Sequence, residues 1–231
     1  MFFRLDPYSP DHRWRAFMAS VSIMCTCGAV YLFSAYSAEL AQRMKYSDTQ
    51  LNNISTAGNV GLWMGALGGM FLDSFGVHKT CRGGATLSFL GLLCIAASVD
   101  GTVSGKNHWF IAVANMVFCQ GQGWSYLAGM KGTLKNFDNV ERGRVIGTLV
   151  LFFALSAGIL SQCYKALFQG RLPLEYFFYF MAVTIFTVQF LAAEYINAPC
   201  HYRPLMGATE LRRLRWIQGF GVALAVWILF M

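Results

Sequence analysis

Charge is what this sequence has least of. Only 13% of its 231 residues are Asp, Glu, Lys or Arg, against about 25% in a soluble domain. That shortage excludes an ordinary water-soluble fold. Acidic groups are the scarcer kind, 11 against 18 basic ones for a net charge of +7, and no Asp or Glu falls in the middle of an apolar run. Intramembrane carboxylates commonly carry proton relays, so this chain offers no evident proton carrier. Its four His (12, 78, 108 and 201) lie near the ends of apolar runs or between them. Paired carboxylates, an activated nucleophile and a His/Cys ligand cluster are all missing, which disfavours an enzyme, a metal centre or a bound cofactor. The N-terminal MFFRLDPYSPDHRWR also lacks the basic start and uninterrupted apolar core of a signal peptide. It reads as a leader to the first apolar run.

What the chain has instead is apolar and aromatic. Hydrophobic residues make up 56%, with 20 Phe, 10 Tyr and 6 Trp. A membrane-spanning helix needs about 20 mostly apolar residues. Six segments meet that length, roughly 14–38, 48–72, 82–100, 108–130, 143–165 and 174–196, and a seventh starts near 214. The expected organisation is a cytosolic leader over 1–13, a six-span bundle over 14–196, a cytosolic loop over 197–213 and the start of a seventh span over 214–231. The fold class is therefore an all-α membrane protein. Seven cysteines (25, 27, 81, 94, 119, 163 and 200) lie in or near these runs. Cys25 and Cys27, two apart, point to different helix faces and read as small packing residues.

Positive charge collects on one side. With the N-terminus inside, the inner segments hold thirteen Lys and Arg and the outer segments five, and the basic side of short loops is the cytosolic one. Charges divided among short loops in this way argue against a nucleic-acid partner. The lipid bilayer is the partner they imply.

Polar residues inside the spans are the candidates for chemistry, because an unpaired buried amide is costly. In the first span Ser20, Cys27, Tyr31 and Ser34 share a helical face. Small polar residues of this kind often serve helix–helix hydrogen bonding; Tyr31 stands out because its hydroxyl can reach a cavity. In the second, Ser47 and Gln50 form a capping pattern, and Asn59 lies on a face with Asn52, Ser55 and Trp63. Ala57, Gly61, Gly65 and Gly69 repeat on another face as a small-residue ridge that asks for a partner helix. In the fourth, Asn115, Cys119, Gln122 and Tyr126 share a face while Gln120 and Trp124 share another. That pattern fits either a polar interhelical network or a solute pocket with amide groups beside an aromatic wall. The loop after it pairs Asp138 with Glu141 in a second capping pattern leading to Arg142.

The run Gly69, Asp73, Gly76, followed by His78, Lys79 and Arg82, resembles the loop between spans two and three of the major facilitator superfamily. Ser74 stands where that motif usually has a base. Further stretches, Arg13–Trp14, Gly28, Tyr31, the Gly61–Gly65–Gly69–Asp73 ladder, the segment GQGW, Lys135–Asn136–Phe137 and Arg142–Gly143, are similar to the nodulin-like, monocarboxylate-transporter-like branch of that superfamily. The resemblance implies a six-helix N-terminal bundle of a twelve-span carrier plus the start of a seventh helix. It also implies a small-molecule solute held between two halves that rock against one another, with spans one and four lining the cavity and spans two and five meeting the other half. On that expectation Tyr31, Asn59, Asn115, Gln120, Gln122, Trp124 and Tyr126 are the candidate solute-binding residues. Gly69, Asp73, Gly76 and Arg142 are the candidate conformational motif. A missing C-terminal half, or a second copy, would complete the site. Two other readings stay open: a truncated, non-transporting protein that binds or regulates a full-length relative, and a seven-span receptor, which the inside N-terminus disfavours.

Overall fold

A computed structural model of the chain describes residues 10–102, 107–196 and 206–230. Most of the expected leader and the first part of the expected 197–213 loop lie outside these residues. The architecture is an all-α membrane bundle. The first rod runs through α1 (Pro10–Cys27), a 3₁₀ turn (Gly28–Leu32) and α2 (Phe33–Met44) without leaving helical direction. Then come α3 (Asp48–Trp63), α4 (Gly65–Asp100), α5 (His108–Leu134), α6 (Arg142–Cys163) with a π-helical turn (Tyr164–Phe168), α7 (Leu174–Ile196) and α8 (Ala208–Leu229). Among the described residues, four helical stretches are long and apolar enough to cross a membrane: Arg13–Met44, Asp48–Asp100, Arg142–Phe168 and Leu174–Ile196.

The 53-residue stretch Asp48–Asp100 is two crossings, because α4 folds back at Gly76. There φ is 81° and ψ 172°, a combination that is essentially restricted to glycine. The reversal shows in what each side touches. Positions 68 and 83 would be about 22 Å apart in a straight helix, yet a Cβ on either would meet the same Trp124 ring, at 2.6 and 3.5 Å. Ser47 caps α3 as its sequence suggested, accepting from the Gln50 N–H while the Gln50 carboxamide accepts from the Ser47 N–H. The second capping pattern resolves differently. Glu141 is the N-cap of α6 and makes no cap bond. Its buried carboxylate accepts the Met206 N–H at 2.7 Å, so it ties the segment before α8 to the bundle.

Lipid tails are as apolar as leucine, so packing and interhelical hydrogen bonds hold such a bundle together. α4 and α5 approach closely at a pair of facing glycines. A Cβ on Gly84 would sit 2.6 Å from the Gly121 carbonyl oxygen, and one on Gly121 2.5 Å from that of Gly84. The expected ridge on the second span divides. Gly61 lies against the Met116 backbone of α5, whereas Gly65 and Gly69 face open space. α8 begins inside the stretch read as a loop and packs on α6, with Ile228 against Gly158 and Leu151 against Gly221.

Ion pairs fasten both ends of the bundle. At one end Asp73 pairs with Lys131 from the last turn of α5, Arg82 with Glu194 of α7, and Arg13 with Glu210 of α8. The base that the loop motif lacks next to Asp73 is thus supplied by a neighbouring helix. At the other end Arg43 forks onto Glu175, and the Tyr164 hydroxyl donates to Glu39.

Candidate functional site

A cavity of about 310 Å³ opens on one side of the bundle, lined by Cys27, Tyr31, Leu62, Gly65, Gln122, Gly123, Tyr126, Leu127 and Phe153. Four rods contribute to it. Phe153 of α6 is the hinge of its aromatic wall: Tyr31 meets it edge-on at 5.7 Å and Tyr126 lies tilted at 5.0 Å. Aromatic rings prefer such offset and edge arrangements, so the three rings hold one another in place. No charged side chain is in the lining. The polar groups there are two phenol hydroxyls, one thiol and the Gln122 amide.

Gln122 is 1% exposed, and its carboxamide orientation is set by partners on both sides. Its Nε2 donates to Ser88 Oγ at 2.8 Å, and its Oε1 accepts from Gln189 Nε2 at 3.0 Å. Gln189 of α7 also donates to Thr26 Oγ1 at 3.0 Å and accepts from Ser125 Oγ at 2.8 Å. A buried polar network of this kind, with every amide atom partnered, fixes the packing of the helices that carry it. Here those helices are α1, α4, α5 and α7, and the network forms the floor behind the cavity. Gln189 did not stand out in the sequence. The same rule that marked Gln122, a buried amide in an apolar run, would have found it.

The structure brings Tyr31, Gln122 and Tyr126 to one cavity and leaves the other candidates outside its lining. Asn115 donates to the Ile54 carbonyl oxygen at 3.0 Å, tying α5 to α3. Gln120 donates to the Met64 carbonyl oxygen at 3.1 Å where α3 ends. Trp124 stacks on Phe71 at 4.8 Å within the α4–α5 contact. Asn59 is exposed on α3. Of the loop motif, Asp73 and Gly76 form the ion pair and the turn described above. Gly69 faces open space, and Arg142 donates to the Phe137 carbonyl oxygen at 3.4 Å.

A family model described as Nodulin-like matches residues 13–231, nearly the whole chain. The chain belongs to the Nodulin-like family. Among curated proteins, it is 28% identical to a probable transporter, MCH1, of Gibberella zeae, over 75% of this chain and 34% of that protein. The chain therefore spans about a third of the relative's length. In this Nodulin-like chain the cavity lies on the side where the bundle leaves Gly65 and Gly69 uncovered.

Proposed function

We propose that this Nodulin-like chain is the N-terminal half of a membrane transporter that moves a small organic solute by alternating access. The observation that carries the reading is the one-sided cavity walled by Tyr31, Tyr126 and Phe153. A site between two rocking halves needs such an opening on each half. Gln122, oriented by Ser88 and Gln189, retains one N–H and an oxygen lone pair beyond these bonds, and the two phenols add donors. The rest of the carrier, or a second copy of this chain, closes the cavity. A monocarboxylate is one candidate solute; the lining holds no cation to pair with it, so the other half must supply the charge. The role is binding and passage, not catalysis.

The test uses the full-length carrier containing this chain, reconstituted in vesicles with a panel of monocarboxylates and uncharged solutes. Gly65→Leu points a side chain into the cavity from a position where nothing lies within 4 Å of a Cβ. Uptake of the accepted solute is expected to fall roughly tenfold or more at an equal amount of folded protein. Unchanged uptake kinetics would reject the cavity as the solute site.

A further inference from the structure

We propose that the cleft between the first turn of α6 and the first three turns of α8 binds the phosphate of an anionic phospholipid headgroup. The cleft has a volume of about 360 Å³ and is lined by Arg144, Leu211, Leu214, Arg215 and Gln218. It therefore presents two guanidinium groups from two helices over an apolar base. Gln218 closes it underneath, donating to Thr148 Oγ1 at 2.9 Å across the helix pair.

Glu141 and Glu210, the carboxylates at the starts of these two helices, do not reach the cleft arginines; the second oxygen of Glu141 is buried without a partner. Glu141 takes the Met206 N–H, and Glu210 takes Arg13 and the Trp14 indole N–H. Among the described residues, no carboxylate pairs with Arg144 or Arg215. Two arginines facing one cleft without a counter-ion repel each other, and an anion between them removes that cost. Arginine's planar fork matches phosphate oxygens two at a time. Arg144 lies in the first turn of α6, whose N-terminal N–H groups add positive potential there.

The depth of the cleft selects a lipid over a soluble anion. Trp216 follows Arg215 and is 70% exposed, and Phe220 one turn further on is 64% exposed. Tryptophan is enriched at the membrane–water boundary, so on α8, read from the sequence as the start of a seventh span, exposed Trp216 puts the neighbouring guanidinium at the phosphates. Leu211 and Leu214 offer the apolar side that an acyl chain's upper carbons would meet. A phosphate held there would bridge α6 and α8 and strengthen the docking of α8. The inference rests on the membrane-spanning reading of the fold and is independent of the transport proposal.

The experiment is native mass spectrometry of the chain in a neutral detergent, with phosphatidylserine, phosphatidylglycerol or phosphatidylcholine added. The anionic lipids are expected to be retained in preference to phosphatidylcholine. Arg144→Gln with Arg215→Gln should weaken that retention roughly tenfold or more. Arg212→Gln with Arg213→Gln removes the same charge from exposed positions outside the cleft and should leave retention within about twofold. Equal losses in the two double variants would mean diffuse charge and overturn the site, as would equal retention of phosphatidylcholine. Inorganic phosphate is the second arm: displacement of the lipid by phosphate at equal concentration would assign the cleft to a soluble anion and overturn the lipid assignment. Should the glutamine pair fail to fold by circular dichroism, Arg144→Lys with Arg215→Lys keeps both charges and removes the fork. Weaker retention than in the Arg212/Arg213 pair then supports the site, and equal retention overturns it.

Discussion

Gln189 holds Gln122 in one orientation, and the cost of removing it can be stated. Gln189→Leu keeps the volume but leaves the Gln122 oxygen and the Ser125 and Thr26 hydroxyls each short of a partner. A buried polar group left unsatisfied costs about 1–3 kcal/mol, so the variant is expected to lose at least that much stability. A thermal melt in detergent reads this directly, and an unchanged melt would show the network to be slack. At the end where Arg13 ties α1 to α8 the relevant group is Glu210. Burial pushes its carboxyl up, but the hydrogen bonds from Arg13, Trp14 and the Gly207 N–H outweigh burial and hold it below its ordinary value. A carboxyl lowered by folding contributes stability that is present above its ordinary range and is lost as pH falls through its folded value. The melt should therefore decline as the medium is acidified through the carboxylate range. Glu210→Gln should start lower at neutral pH and lack that acid decline; the same decline in the variant would assign it to other groups. Of these residues, Gln122 was legible in the sequence because lipid excludes an unpaired amide. Glu210 was not, since its partner Arg13 lies 197 positions away and local spacing carries no trace of the pair.

Elements were legible where their signals are local. The Ser47–Gln50 cap formed because both partners lie within one helical turn, whereas Glu141 left its expected cap for the Met206 backbone, a contact set by tertiary packing. The small-residue ridge was read as one continuous surface. Rotation of the helix, together with the break at Met64 between α3 and α4, sets Gly61 against the α5 backbone and leaves Gly65 and Gly69 with nothing within 4 Å of a Cβ. Gly76 is the position on which the direction of α4 depends. At φ 81° and ψ 172° a Cβ is strained even though nothing else lies within 4 Å. Gly76→Ala is thus a purely conformational substitution. It is expected to cost about 1–3 kcal/mol in a melt, with the Asp73–Lys131 pair loosened because the turn sets its register. Lys45, at φ 55°, ends α2 in the left-handed region. Lys45→Gly should raise stability by about 0.4–1 kcal/mol, the opposite sign to Gly76→Ala under the same assay.

At the scale of the whole molecule the question is which way the bundle faces, and the charge bias predicts the basic side inside. The sequence reading places thirteen basic residues on one side against five on the other, a strong bias where each charge resists crossing. The structure adds how those charges are used. On the basic side Arg13, Arg82 and Lys131 are paired to acids, while Arg144 and Arg215 face a cleft without one. On the sparse side Arg43 is paired to Glu175. The basic side therefore keeps its excess after internal pairing, which is what an anionic leaflet attracts. A tag at Met1 is expected to be reached by antibody only after cells are permeabilised. Staining of intact cells would invert the bundle, put the arginine cleft in the outer leaflet and bring back the seven-span receptor reading. Protection in intact cells leaves the cavity, the basic cleft and the Arg13–Glu210 tie in one consistent arrangement, with the ion-paired ends of α1, α4, α5 and α8 toward the cytosol.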